Sequence, residues 1–174
     1  MRACRRTWFW LFGLFWIAGH AAIAEEPSAW PEFSPPKAGF SVRLPSAPTE
    51  HVDPSTGAII SQVQDEQRSY IVGATTLPQE ALAATPQQIF DQNRFHFLRT
   101  LSGSRLVRSE SLEFSGFPAM ICIFEANSPG RREAKAKVMF VLAAPRLYSA
   151  GFISRKEVFV EADVDKYLAT FKIK

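Results

Sequence analysis

Residues 119–126 read Ala-Met-Ile-Cys-Ile-Phe-Glu-Ala, and residues 136–144 read Ala-Lys-Val-Met-Phe-Val-Leu-Ala-Ala. Both stretches are predominantly apolar at odd and at even positions. Because successive side chains of a strand point to opposite faces, a strand of this kind is buried on both sides. We therefore expect two central strands in a sheet that is covered above and below.

The remaining patterns place these strands within an ordered series of elements. Strands are predicted at 40–44, 58–65, 69–76, 105–114, 119–126, 136–144 and 147–153, with helices over 85–103 and 161–170. The second helix is expected to face inward with Val164, Tyr167, Leu168 and Phe171. Residues 105–114 alternate poorly and indicate an edge strand, and the turn-rich residues 45–57 are expected to form a loop. Because short loops join antiparallel neighbours, the series predicts an α+β fold, a three-layer α/β/α sandwich around a mostly antiparallel sheet of about six or seven strands.

The long helix carries clear end signals. Thr85 is a suitable N-cap, Pro86 suits the first helical position, and Gln88 completes a capping box. Gly103 is expected to end the helix at its C′ position. Phe95 falls nearly opposite the apolar line of this helix, so a second layer covers it or it is exposed for a partner.

The N-terminus has the three parts of a secretory signal peptide. Arg2, Arg5 and Arg6 precede the apolar run 8–18, and residues 22–24 supply the small-x-small pattern that a signal peptidase reads. The alternative is an uncleaved membrane anchor, but the run has 11 residues and a membrane span needs about 20. We therefore expect cleavage between Ala24 and Glu25, a Pro-rich leader at 25–37 and one domain over 38–174.

Removal of this segment changes the charge and the cysteine count. It carries three of the 20 basic residues and none of the 17 acidic ones, so the rest of the chain is formally neutral. Nucleic-acid binding, which draws its affinity from phosphate neutralisation, is therefore not expected. Cys4 leaves with the signal peptide, and Cys122 is interpreted as a buried, inert thiol.

No set of residues in the sequence points to a known catalytic or metal site. His51 and His96 are interpreted as solvated or helix-flank histidines, and no metal-ligand spacing or cofactor motif is present. Acidic residues near the start of the last helix, Glu161, Asp163 and Asp165, are expected to complement the helix dipole. We predict no cofactor, no metal and no catalytic residue.

One local charge feature lies between the two central strands. Residues 130–137 read Gly-Arg-Arg-Glu-Ala-Lys-Ala-Lys, with Arg131, Arg132 and Lys135 near the hairpin loop. Such a loop is ordinary solvated surface in most proteins. It can also contact an acidic partner or, with weaker support, anionic lipid headgroups.

Both ends of the domain resemble PsbP-like proteins. Residues 39–48, Gly-Phe-Ser-Val-Arg-Leu-Pro-Ser-Ala-Pro, resemble their opening strand. Residues 164–173, Val-Asp-Lys-Tyr-Leu-Ala-Thr-Phe-Lys-Ile, resemble their closing helix and terminal Phe-Lys. The resemblance covers 38–174 and implies mainly a fold. That superfamily includes an extrinsic subunit of the photosynthetic oxygen-evolving complex, a nuclear GTPase-binding protein and bacterial envelope proteins such as DcrB, which mostly bind or assemble.

These observations predict an exported, periplasmic or extracellular, non-catalytic module that binds an envelope protein or a small ligand. Its expected working surface includes Trp30, Phe95 and the basic hairpin with Arg131, Arg132 and Lys135. The alternative is an envelope hydrolase whose acid/base residues come together from separate loops around His51.

Overall fold

A computed structural model describes residues 26–54, 57–101, 103–127 and 133–174. The helices are α1 (Pro86–Thr100) and α2 (Glu161–Leu168). The strands are β1 (Glu32–Phe33), β2 (Phe40–Arg43), β3 (Thr49–Val52), β4 (Ile59–Gln64), β5 (Arg68–Thr76), β6 (Ser104–Phe114), β7 (Phe117–Ala126), β8 (Ala134–Ala143), β9 (Arg146–Arg155) and β10 (Lys172–Ile173). The predicted signal peptide, residues 1–24, lies outside the described residues.

Seven of the strands form the main sheet. Their order is β3-β4-β5-β9-β8-β7-β6, and every neighbouring pair is antiparallel. This confirms the α+β class and the antiparallel sheet. β7 and β8 lie inside the sheet and β6 at its edge, as their patterns predict, and a β-bulge between Leu106 and Arg108 interrupts the pairing of that edge strand.

Both faces of the main sheet are covered, as predicted for three layers. Val138 and Phe140 of β8 pack with Ile89 and Phe90 of α1 in one core cluster. The alternate residue Met139 belongs to a second cluster on the opposite face. The apolar residues at odd and even positions of β8 thus serve two separate cores.

The cover of the second face is assembled from several pieces. Helix α2 contributes the predicted inward-facing residues Val164, Tyr167 and Leu168, and Phe171 follows directly after it. The rest is a small antiparallel sheet in the order β1-β2-β10. The leader and the C-terminus therefore both contribute strands to the same layer.

The ends of α1 agree with the sequence signals. The Thr85 side chain accepts a hydrogen bond from the Gln88 backbone, and the Gln88 side chain accepts one from the Thr85 backbone. Pro86 occupies the first helical position. Leu101 is the C-cap, so Gly103 lies at C″, one residue beyond the predicted C′ position. Its φ of 74° is a left-handed conformation that glycine adopts without strain.

Three short strands were missed by the sequence patterns: β1, β3 and the C-terminal β10, which pairs with β2. The expected loop at 45–57 contains β3, which pairs with β4, and the expected extended leader contains β1. All four residues of β3 are exposed, so no alternation of apolar and polar residues marks it. β1 is two residues long and lies between Pro31 and Pro35, so it is too short to show an alternating pattern.

A buried lysine attaches α2 to the main sheet. Lys137 of β8 has a side chain that is 5% exposed, and its Nζ lies 3.1 Å from Glu161 Oε1 and 2.5 Å from Asp165 Oδ1. Arg108 of β6 also pairs with Glu161. Two of the acidic residues assigned to the helix dipole therefore neutralise a buried cation as well. The hydrogen bond from Lys137 holds the pKa of Glu161 below its ordinary value.

We expect the double variant Glu161→Gln/Asp165→Asn to lower the free energy of unfolding by about 3 kcal/mol, because it leaves the buried ammonium of Lys137 without a counter-charge. The control is Arg108→Gln, which removes an exposed partner of the same Glu161 and should cost less than about 1 kcal/mol. Urea denaturation of the purified domain measures both values. Equal losses in the two variants would contradict this role of Lys137.

Ser61 of β4, unlike the buried Lys137, has no partner: its hydroxyl is buried and makes no hydrogen bond among the described residues. We expect Ser61→Ala to raise the free energy of unfolding by about 1 kcal/mol, because the unpaired polar group disfavours the folded state. Ser41 is the matched control: it is equally buried, and its hydroxyl bonds Glu32. Ser41→Ala should destabilise the domain in the same denaturation assay, and the account is wrong if the two variants shift stability in the same direction.

Candidate binding groove

A groove opens where the leader crosses α2 above the main sheet. The rings of Trp30, Tyr70 and Phe152 line it, and Val158 and Val160 stand at its rim. Its volume is about 120 Å³, which is well below the roughly 300–1,000 Å³ of small-molecule sites. A cavity of about 150 Å³ holds one benzene-sized group. The groove is therefore the right size for a single side chain.

The walls of the groove are fixed by aromatic packing around Tyr70. Its ring centroid lies 5.2 Å from that of Trp30, 5.0 Å from that of Phe152 and 5.2 Å from that of Tyr167, each in an edge-on arrangement. Edge-to-face pairs at such distances are favourable beyond the area they bury. Burial raises the pKa of Tyr70 above its ordinary value, so its hydroxyl stays neutral at physiological pH.

The leader is held in place by polar contacts on either side of Trp30. Arg43 Nη1 donates to the Trp30 carbonyl oxygen at 2.7 Å, and Lys166 Nζ lies 2.9 Å from Glu26 Oε1. The hydrogen bond to Glu26 raises the pKa of Lys166. The N-terminal wall of the groove is thus tied both to β2 and to α2.

Two cations lie on the face of the main sheet that carries the groove, and among the described residues no carboxylate contacts their charged groups. Arg68 of β5 and Lys135 of β8 both lie opposite Ser154 of β9, so they lie in one row. With about 4.8 Å between neighbouring strands, their backbones are about 10 Å apart. Arg68 lines the groove and bonds the Tyr70 hydroxyl, and Lys135 Nζ lies 4.7 Å from the centre of the Phe159 ring.

Three acidic residues around this row are paired with other cations, and Asp65 accepts hydrogen bonds from the backbone amides of Gln67 and Arg68. Glu125 lies 2.8 Å from Arg105, and Glu133 lies 3.1 Å from Lys156. Asp163 lies 3.7 Å from Lys166. Within the part of the chain that the structure describes, no carboxylate oxygen lies within 4.0 Å of the guanidinium of Arg68 or the ammonium of Lys135. Both side chains therefore have donors available to an outside acceptor.

The structure brings together only part of the surface predicted from the sequence. Trp30 is 7% exposed and contributes its ring to the groove, and Lys135 faces the same side of the main sheet. Phe95 is 62% exposed, as its position predicted, but it lies on α1 across the sheet from Trp30. Arg131 and Arg132 lie outside the described residues.

His51 lies on the exposed edge strand β3, opposite Ile60 of β4. Because neighbouring residues of a strand point to opposite faces, Glu50 projects away from His51. The strand therefore does not place the Glu50 carboxylate beside the imidazole.

A second, more polar cavity of about 190 Å³ lies between β2 and the end of α2. Its polar groups bond one another. Thr170 Oγ1 accepts from the Arg43 backbone at 3.1 Å and donates to the Tyr167 carbonyl at 2.7 Å. A hydrogen bond from Ser41 lowers the pKa of Glu32. We interpret this cavity as the seam that joins the small sheet to α2.

The groove residues Arg68, Tyr70 and Phe152 were not identified as site residues from the sequence. They alternate with other residues on two separate strands, so their convergence depends on the pairing of β5 with β9. The signal that was available is the presence of Tyr70 and Phe152 among the three aromatic residues of β5 and β9, the third being Tyr148.

Among the described residues, no group of three or more potential metal-binding side chains is present. Across the same residues, no helix is long and apolar enough to span a membrane.

The comparisons with known proteins identify the fold. No family model matches the chain, and no curated protein does. The solution structure of cyanobacterial PsbP (CyanoP) from Synechocystis sp. PCC 6803 is similar, with a TM-score of 0.61 and 10% identity over 90% of this chain and 98% of that one. A crystal structure from Bacteroides thetaiotaomicron has a TM-score of 0.51 and 14% identity, over 83% of this chain and 48% of that one. The fold is therefore PsbP-like, as the two ends of the domain indicated.

Cys122 of β7 is fully buried, and burial raises its pKa to about 11. We expect its thiol to react with an aromatic disulfide reagent at pH 8 at least about 100-fold more slowly in the folded chain than in denaturant, because little thiolate forms. Absorbance of the released thiolate measures both rates. Comparable rates in the two states would show that the thiol is accessible and ionised.

Proposed function

We propose that the protein is exported and acts in the cell envelope as a non-catalytic binding or assembly module. The observation that carries this proposal is the groove walled by Trp30, Tyr70 and Phe152. Its volume suits one side chain, which favours a protein as the partner over a small ligand. Both kinds of partner remained open from the sequence.

Export is supported by the residues at the N-terminus. The arginines, the apolar run 8–18 and the small residues at 22–24 have the order of a cleavable signal peptide. Glu26, two residues after the predicted cleavage point, bonds Lys166 beside the groove. Cleavage after Ala24 therefore leaves every described residue of the groove in the mature chain.

A binding role is supported by how the groove is built. Its aromatic walls are packed against one another and buried, so they do not have to become ordered when a partner arrives. The PsbP-like fold agrees with this role, because the superfamily that the sequence resembles contains mostly binding and assembly proteins. Fold alone does not define function, and the groove is the more specific support.

Site-specific photo-crosslinking tests the proposal in native envelopes. A photoreactive benzoyl-phenylalanine replaces Val160, which is 52% exposed at the groove rim, and in a second strain it replaces Phe95, which is 62% exposed on α1. We expect one abundant protein adduct from position 160 and none from position 95. Mass spectrometry of the same material should show an N-terminus at Glu25.

Each outcome bears on a separate part of the proposal. An adduct from position 95 alone supports a binding module but moves its working surface to α1. No adduct from either position would contradict a protein-binding role. An intact Met1 would contradict export with cleavage and favour a membrane anchor.

A further inference from the structure

We infer that the groove binds an acidic segment of a partner protein, with one aliphatic side chain of that segment seated against Trp30 and carboxylates bound by Arg68 and Lys135. This inference rests on the proposed function and adds the chemistry of the partner.

The shape and the polarity of the groove suit an aliphatic side chain. The floor consists of aromatic rings, and the rim adds the two valine side chains Val158 and Val160. About 120 Å³ of largely apolar space accepts one branched aliphatic side chain. A side chain that fills a pocket at the centre of an interface is the usual anchor of protein recognition.

The positive charges of Arg68 and Lys135, near the groove, are not balanced by a contacting carboxylate of the described residues. Glu26 and Asp163, the acids that line the groove, both contact Lys166. Arg68 and Lys135 have no such partner among the described residues, and both lie on the side of the sheet that carries the groove. A segment with carboxylates next to its anchor would complete these two cations, whereas a basic segment would meet them unfavourably.

The spacing of Arg68 and Lys135 suits an extended partner segment. Arg68 and Lys135 occupy one row across three strands, with Ser154 between them. Their spacing of about 10 Å matches one turn of an extended polyproline II segment, three residues at about 3.1 Å each, whose first and fourth side chains point to the same side. An extended segment can therefore place two carboxylates on these cations in one binding mode.

The mature chain provides a direct probe of the groove. Three of the four tryptophans precede residue 25, so Trp30 is the single tryptophan after cleavage. A side chain seated in the groove changes the surroundings of this ring and hence its fluorescence emission.

The test is selection of a displayed library of random 12-residue peptides on the mature protein. We expect the enriched peptides to combine an aliphatic residue with Asp or Glu two to four positions away and to shift the Trp30 emission. The variant Arg68→Gln/Lys135→Gln should weaken their binding by about tenfold.

The control variant, Arg105→Gln/Lys156→Gln, removes the same net charge from cations that already pair with Glu125 and Glu133. It should change the affinity less than about twofold at physiological salt, where exposed charges beyond about 8 Å are screened. Equal losses in the two variants would overturn the inference, as would enriched peptides without acidic residues, peptides that leave the Trp30 emission unchanged, or no enrichment. In each of these cases an envelope adduct at position 160 or 95 would still support the proposed function, so the two claims fail separately.

Discussion

The packing of Tyr70 against three other aromatic rings joins the parts of the structure that matter most for its proposed role. Trp30 belongs to the leader, Phe152 to the centre of the main sheet and Tyr167 to α2. None of these pieces is long enough to cover the sheet alone. The leader and α2 therefore form one layer because they share this aromatic contact, and the groove is the gap that remains between them. The small sheet joins the layer through Phe40, which packs against Phe171.

Charge determines where the layer is placed. The ammonium of Lys137 is buried under α2, so Glu161 and Asp165 must lie directly above it. Lys166, the residue after Asp165, connects α2 to the leader through Glu26. These pairs use the acidic residues near the groove, and Arg68 and Lys135 keep donors for a partner. The same arrangement that positions the helix thus gives the rim its unbalanced charge.

The sequence contained enough local information for most of the fold. The capping box at Thr85, the two-sided apolar pattern of β7 and β8 and the inward face of α2 each depend on neighbouring residues, and each is confirmed. β1, β3 and β10 were missed because each has only two to four residues and their side chains show no alternation of buried and exposed positions. The groove was only half predictable: Trp30 and Lys135 were candidates, whereas Arg68, Tyr70 and Phe152 converge only once β5 pairs with β9.

The proposed binding role requires that the groove is already formed before any partner binds. Hydrogen exchange of the free mature protein measures this directly at two backbone amides of the leader seam, Trp30 N–H bonded to Pro27 and Leu44 N–H bonded to Pro31. If the layer is one cooperative unit, both should exchange as slowly as the amide of Met139 in β8. Exchange of the leader amides orders of magnitude faster than that of Met139 would mean that the leader opens independently, and a preformed groove would then be excluded.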